Sequence, residues 1–408
     1  MLRKHGWRLG RKLSFYYRNV STVPEPKKAE LGGEDAFLSL HNVQAVLDGV
    51  SWWKENTGVT AGLYSAALAR TMYEYIEDEL LGDTPASSFR LLEGSSESCK
   101  HGDVFGTCTA LVATLQEPRV EIQTKDQYEV VLLEGPSLRL PDNIAVATAA
   151  ALPPKSGDGV QEEDGGESGT GLTSSVVEVP TTADLQTAFS HFRRTDDAEN
   201  YLLDIAYVGD CTVMIIRGGK VVYTTVEQSH SLDYPFQLGT GSADTPKDGV
   251  RRLVPVEKGD VIVMGSDGVF DNLYPAQIAA ALWPPLEQVY RQHGYVQLPG
   301  DEPGKAEAML RRHSRSGNLR ALLVDDIMAA LKVGSDAVMR DAAVVANDVH
   351  CDSPYASKCI EQGALFEGGK PDDMTLLASV VGEYDDENSG ERFSNSETAY
   401  PPPYRDWP

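Results

Sequence analysis

Four short apolar runs in this chain each meet a carboxylate at one end, and that recurrence constrains the fold more than any other feature. Residues 258–273, KGDVIVMGSDGVFDNL, pass from a Gly-Asp turn through four apolar residues, break at Gly265 and present Asp267-Gly268, then Asp271-Asn272. Residues 44–49, QAVLDG, deliver Asp48-Gly49, and residues 202–210 deliver Gly209-Asp210. A fourth case runs in reverse, with Asp372-Asp373 leading into MTLLASVV. A short apolar run bounded by turn residues reads as a buried strand. One Asp-Gly after a strand is ordinary turn chemistry. Four acidic strand ends in one chain call for a shared cation.

The carboxylates have no neighbouring His, so the chemistry favours a hard ion such as Mg²⁺ or Mn²⁺ over zinc. Two such ions about 3.5–4 Å apart, bridged by a carboxylate, hold a hydroxide and clamp a phosphoryl group in line. Gly49 and Gly268, lacking a Cβ, are expected to let the backbone approach an ion or phosphate. Walker A, GxSxG and HExxH patterns are absent from the sequence.

Net charge sharpens the point. The 408 residues carry a formal charge of -25, and the first 28 hold eight Lys or Arg against Glu25, leaving about -32 on the rest. A body that acidic repels nucleic acid and anionic membranes. It also repels a phosphorylated substrate, so any phosphate chemistry must create a local positive field, which bound metal ions would do. Five scattered Cys show neither disulfide nor zinc spacing and point to a reducing, intracellular setting. No apolar run approaches the roughly 20 residues of a membrane span.

Taken in order, residues 1–20 contain six Lys or Arg and no acid, a composition that resembles a mitochondrial presequence. The competing reading makes residues 13–20 the first strand. Residues 31–37, LGGEDAF, display Glu34-Asp35 after a Gly-Gly turn. Residues 58–81 have helical spacing, residues 105–115 suit a strand, and the acidic, Gly-rich residues 153–171 read as a flexible loop within an insertion. Residues 202–208, 213–217 and 221–225 predict a β-meander whose neighbours pair antiparallel. Helices are expected over 276–290 and 319–331, separated by a polar spacer. His230 is expected to be a structural or substrate-loop residue, and Asp271 and Asn272 to cap the helix after Leu273. The polar tail after residue 383 ends in Pro401, Pro402, Pro403 and Tyr404, which match the PPxY pattern bound by WW domains.

The ordered set GEDAF, VLDGVSWW, GTCTALVA, YVGDCTVMIIRGGKV, GDVIVMGSDGVFDN and GGKPDDMTLLASVV resembles the type 2C, metal-dependent protein serine/threonine phosphatase (PPM) family. Further segments, among them EQSHSLDYPFQLG, resemble its mitochondrial and azacytidine-resistance-like branch. The resemblance implies an α+β fold, a four-layer α-β-β-α sandwich of two antiparallel sheets flanked by helices. It also implies two Mn²⁺ or Mg²⁺ ions and a weaker third. By matching motifs, Asp48 bridges the ions, Gly49 contributes its carbonyl, and Asp267 and Asp372 complete the first site, Asp372 rather than Asp373. Glu34 and Asp35 match the acidic pair that ligates directly or through water, and Asp210 matches the third-metal carboxylate.

Two departures stand out. Val50 replaces the His proposed in many members as general acid, and the phosphate-gripping Arg falls on Glu30, leaving Lys27 or Lys28 as candidates. The expected domains are a basic tip at 1–12, a phosphatase domain at 13–382 with inserts at about 116–200 and 294–345, and a disordered tail at 383–408. The expected activity is hydrolysis of phosphoserine and phosphothreonine in protein substrates by a metal-bridged hydroxide, in a monomer located in the mitochondrion or the cytoplasm. The alternatives are a catalytically weak pseudophosphatase acting as a binding module, and a metal hydrolase of small phosphate esters.

Overall fold

A computed structural model describes residues 12–80, 87–100, 104–116, 129–132, 147–148, 201–256, 259–292 and 317–384. The basic tip before residue 12, most of the 116–200 insert, the 294–316 spacer and the PPxY segment lie outside these residues.

The strands are, in chain order, β1 (Lys12–Val23), β2 (Ala36–Ser39), β3 (Val43–Gly49), β4 (Thr107–Gln116), β5 (Glu129–Leu132), β6 (Ala147–Thr148), β7 (Tyr201–Val208), β8 (Thr212–Arg217) and β9 (Lys220–Thr224). After these come β10 (Ser229–Ser231), β11 (Tyr234–Pro235), β12 (Leu238–Gly239), β13 (Val250–Val256), β14 (Val261–Gly265) and β15 (Met374–Tyr384). The helices are α1 (Trp52–Thr57), α2 (Gly62–Leu80), α3 (Ser88–Lys100), α4 (Asp267–Phe270), α5 (Pro275–Gln292), α6 (Gly317–Ala346) and α7 (Pro354–Glu361).

One sheet runs β1-β15-β14-β8-β9, with every pairing antiparallel. The other runs β2-β3-β4-β7-β13-β5-β6, with β12 on β4; its principal ladders are antiparallel, and the short β5 pairs in parallel with both β13 and β6. Alternation sets the layers. Phe37, Val46, Leu111 and Ile205 from one sheet meet Phe15, Ile215, Ile262 and Leu377 from the other in a shared core. The outward residues of β14 and β15 pack Val263 and Leu376 against Ile278 and Leu282 of α5 and Leu331 and Val338 of α6. On the opposite face Ala45, Leu47 and Val112 receive Leu68 and Met72 of α2 and Leu92 of α3. The result is the four-layer α-β-β-α sandwich.

Three expectations change. Residues 12–20 belong to β1, so the strand reading of that stretch holds and a targeting segment would be confined to the residues before it. The helix expected over 319–331 continues to Ala346, and Ile327, Leu331, Val338 and Ala342 are core residues. The meander is broken: β8 and β9 pair, but β7 belongs to the opposite sheet. Gly209, Asp210 and Cys211 carry the chain across, with Gly209 at φ +104, a left-handed conformation that suits glycine. A tight turn forces pairing only when both strands stay in one sheet.

Candidate metal centre

The sandwich places its acidic strand ends at one edge. In the five-stranded sheet Gly265 at the end of β14 pairs with Leu376 near the start of β15 and with Thr212 at the start of β8, so Asp267, Asp372 and Asp210 share that edge. In the other sheet Gly49, at the end of β3, pairs with Cys108 at the start of β4, and Ala110 pairs with Val208 at the end of β7. The β7–β8 link fastens the two edges together.

Asp35, Asp48, Asp210, Asp267 and Asp372 form one electrostatic cluster. Burial raises the Asp48 carboxyl well above the usual carboxylate range, and the charges of Asp35, Asp267, Asp372 and Asp210 push it further. Asp35 is pushed up to about 8 by burial and by Asp373. Burial and Asp267 raise Asp372 to about 6, against the pull of Lys28 and Lys370. Asp210 is also raised, by burial and then by Asp267. Burial would raise Asp267 too, but Lys370, a hydrogen bond with Asp48 and Lys358 together hold it at about 2.

Among the described residues, the ammonium groups of Lys28 and Lys370 reach the carboxylates of the cluster directly. Lys28 Nζ lies 2.9 Å from Asp372 Oδ1, 3.2 Å from Asp373 Oδ2, 3.2 Å from Glu34 Oε2 and 2.7 Å from Ser51 Oγ. Lys370 Nζ lies 2.6 Å from Asp267 Oδ2 and 2.9 Å from Asp271 Oδ2. With the carboxylates turned to these lysines, no three His, Cys, Asp or Glu side chains close on one point among the described residues. Oxygens are nevertheless left over. Asp35 Oδ1, Asp210 Oδ1 and Asp267 Oδ1 are buried without a hydrogen-bond partner. A buried carboxylate oxygen left unpaired costs several kcal/mol unless a cation meets it. Anionic oxygens without neighbouring imidazole or thiolate fit hard divalent ions.

The acidic pair separates. Asp35 faces the cluster, its Oδ2 accepting from Ser266 Oγ at 2.8 Å. Glu34 is turned away: Oε1 accepts from Ala61 N and Thr60 Oγ1, and Oε2 from Ser51 Oγ and Lys28. Asp373 is a backbone clamp, accepting the N–H of Glu25 at 2.6 Å and of Glu34 at 2.7 Å. Gly49 and Gly268 also permit a close packing of backbone. A Cβ on Gly49 would meet Glu34 O at 2.6 Å, and one on Gly268 would overlap the Asp373 carbonyl, so both glycines let backbone meet backbone. Glu30 is exposed in a short 3₁₀ turn, Lys27 is exposed, and Lys28 is the inward-facing cation.

Asp271 and Asn272 do not cap α5. Asp271 is buried and bridges Lys358 and Lys370, while the Asn272 amide donates to Gly268 O and Lys370 O and accepts from Lys370 N. Sequence spacing carried no sign of Lys370, Lys358, Glu227 or Ser266 in these positions; an acidic cluster needs counter-ions, and that need alone marks the lysine of GGKPDD. His230 stacks on Phe236 with ring centroids 4.0 Å apart and bonds Asp244 at 3.0 Å, consistent with a structural part in its loop.

The shifts give the metal-free protein a pH dependence of definite sign. Asp35, Asp48, Asp210 and Asp372 keep protons in the folded state that the unfolded chain releases near pH 4. Stability therefore falls as pH rises from about 4 to about 8. Asp267 acts oppositely, and its contribution is lost only as pH falls from about 4 towards 2. Urea midpoints in chelator should decline across pH 5–8 and flatten with Mn²⁺; a rising midpoint in chelator contradicts this account.

No protein-family model matches the chain. It is 46% identical over 265 residues to Probable protein phosphatase 2C 26 of Arabidopsis thaliana, covering 64% of this chain and 59% of that one. Probable protein phosphatase 2C 1 of Oryza sativa subsp. japonica is 25% identical over 376 residues, 88% of this chain and 73% of that one. A Protein phosphatase PTC7 homolog of Danio rerio is 27% identical over 198 residues, 47% and 54% of the two chains. The chain thus spans less than two thirds of the first and third of these relatives. Among solved structures, the photosystem II phosphatase PBCP superposes with a TM-score of 0.53 at 22% identity, covering 90% of this chain and 99% of that one, a likeness of fold. The chain is thus similar in sequence to type 2C protein phosphatases, and its sandwich shares the fold of one solved phosphatase.

Proposed function

We propose that this protein is a metal-dependent protein serine/threonine phosphatase. The observation that carries the reading is the gathering of Asp35, Asp48, Asp210, Asp267 and Asp372 at the edge shared by both sheets, with three buried oxygens unpaired. Asp48, Gly49, Asp267 and Asp372 would hold two Mn²⁺ or Mg²⁺ ions, with Asp35 alongside and Asp210 for a weaker third. Glu34 would act through the Ser51, Thr60 and Ala61 contacts that fix the loop beside Gly49. When bound, the ions supply an activated water and neutralise charge on the phosphoryl group. The chain's own part is to fix the carboxylates, through Ser266 on Asp35 and Asn272 across the Asp267 turn, and to hold Asp267 ionised.

The test is release of phosphate from a phosphoserine or phosphothreonine peptide. We expect turnover with Mn²⁺ or Mg²⁺ and loss of at least about a hundredfold in excess chelator, as several kcal/mol of charge stabilisation disappears. Undiminished turnover in chelator sinks the reading. Small phosphoesters run in parallel separate a protein phosphatase from a general phosphoesterase. The retained acidic set and the named relatives give the binding-module alternative no support. The described helices include none long and apolar enough to cross a membrane. A mitochondrial address, supported by the basic residues before β1, predicts that a fluorescent fusion redistributes when residues 1–11 are removed.

A further inference from the structure

We propose that Lys370 is the side chain that receives the substrate's phosphate. The assignment rests on the phosphatase reading and fills the vacancy left where the family's Arg falls on Glu30. Among the described residues three ammonium groups adjoin the acidic cluster, and they differ in the donors they have left and in their nearness to Asp267. An ammonium has three N–H donors. Lys28 faces four acceptors, Ser51, Asp372, Asp373 and Glu34, within 3.2 Å, and its side chain is 8% exposed. It is a counter-ion with no donor to spare. Lys358 bridges Glu227 and Asp271 and also keeps a donor, on a side chain 29% exposed, but no ion pair joins it to Asp267, so its free donor is not beside that carboxylate. Lys370 touches Asp267 and Asp271, but its next acceptor, Asp233 Oδ1, stands 3.9 Å away, beyond hydrogen-bond reach. One N–H is therefore unused, on a side chain 24% exposed, directly beside Asp267.

Lys370 is also held for the task. Asn272 brackets its backbone, accepting from Lys370 N at 2.9 Å and donating to Lys370 O at 2.8 Å, and the same amide bonds Gly268 O at 2.8 Å. The lysine is thus tied to the turn that carries Asp267. The Tyr355 ring lies 5.1 Å from its Nζ, and the Tyr355 hydroxyl donates to Asp233 Oδ2 at 2.7 Å, which fixes the ring. A phosphate dianion attracts an ammonium as a point charge, and such a charge-assisted bond is among the strong ones.

The experiment uses the Mn²⁺-loaded protein, with inorganic phosphate as competitive inhibitor of phosphopeptide hydrolysis and as titrant in calorimetry. Lys370→Met should raise both the phosphate Ki and the peptide KM by about ten- to a hundredfold, and Lys370→Arg should restore most of the loss. Mn²⁺ affinity should be unchanged or tighter, because a competing cation on Asp267 is removed; this separates phosphate recognition from a structural part. Lys332→Met, which removes a surface ammonium paired with Asp336 outside the cluster, is the control for loss of a positive charge, and its phosphate Ki should stay within about twofold. If Lys370→Met does not fold, Lys370→Met with Asp271→Asn removes the stranded charge and is read the same way. A folded, Mn²⁺-binding variant with an unchanged phosphate constant overturns the assignment and leaves the phosphatase reading standing. If the wild-type protein hydrolyses no phosphopeptide, that reading has failed, and calorimetry of phosphate on the Mn²⁺-loaded protein still decides for or against Lys370.

Discussion

Asp48→Asn should abolish Mn²⁺-dependent phosphate release and at the same time make the metal-free protein more stable. The two effects have one origin. Asp48 stands among Asp35, Asp267, Asp372 and Asp210, and its ionised form is opposed by burial and by all four. Replacing the carboxyl with a neutral amide of the same shape removes the cost, above about pH 4, of protonating on folding a group that is ionised in the unfolded chain, when no cation is present. Each kcal/mol relieved raises the melting midpoint by roughly 2–4 °C. With Mn²⁺ present the order should reverse, if Asp48 is the anionic ligand proposed above. Charge stabilisation worth several kcal/mol corresponds to a loss of about a thousandfold or more in turnover. Melting curves in chelator and in Mn²⁺, beside turnover, test both halves. A variant that melts earlier in chelator would show that Asp48 is a structural carboxylate and not a charge held in wait for a cation.

Gly268→Ala is expected to be among the most damaging small substitutions in the chain. The added Cβ would overlap the Asp373 carbonyl oxygen and crowd the Met374 side chain. Neither backbone can give way easily. Asp373 is pinned by the N–H groups of Glu25 and Glu34, and the Asp267 turn is pinned by Asn272. Overpacking against a flexible side chain costs about 1–3 kcal/mol, and a backbone clash on both sides should reach or exceed the upper end of that range. Urea unfolding of the Mn²⁺-loaded protein measures it. A loss below about 1 kcal/mol would mean that the two turns are less closely seated than this structure has them.

The sheets were legible in the sequence because their strands are apolar and short, and because Gly, Asp and Asn punctuate them. Residues 44–49 and 261–265 end where the turn residues say they should. The helix α3 was not legible: SFRLLEGSSESCK carries four Ser and a Gly, and tertiary contacts of Phe89, Leu91 and Leu92 override that weak propensity. The sheet switch between β7 and β8 was hidden for a different reason. A three-residue link looks the same whether the strands pair or cross. Within the site, the acidic strand ends could be read from spacing, whereas Lys28 lies 344 residues from Asp372, and Lys370, though two residues before Asp372, lies 103 residues from the Asp267 it meets. Their roles follow from charge balance, which is a property of the assembled edge. Asp271 and Asn272 were misread because Asp-Asn before a helix is the ordinary pattern of a cap, and only the fold brings Lys370 to compete for them.

The three-residue link between β7 and β8 has a consequence for the order of assembly. Asp210 lies on the seam, Asp48 comes from one half of the sandwich, and Asp267 and Asp372 come from the other. Neither half contains the centre by itself. A cation can then be gripped fully only after the halves have closed, and its affinity becomes a ruler for that closure: a wedge anywhere in the shared core should be felt as weaker metal binding before any ligand is touched.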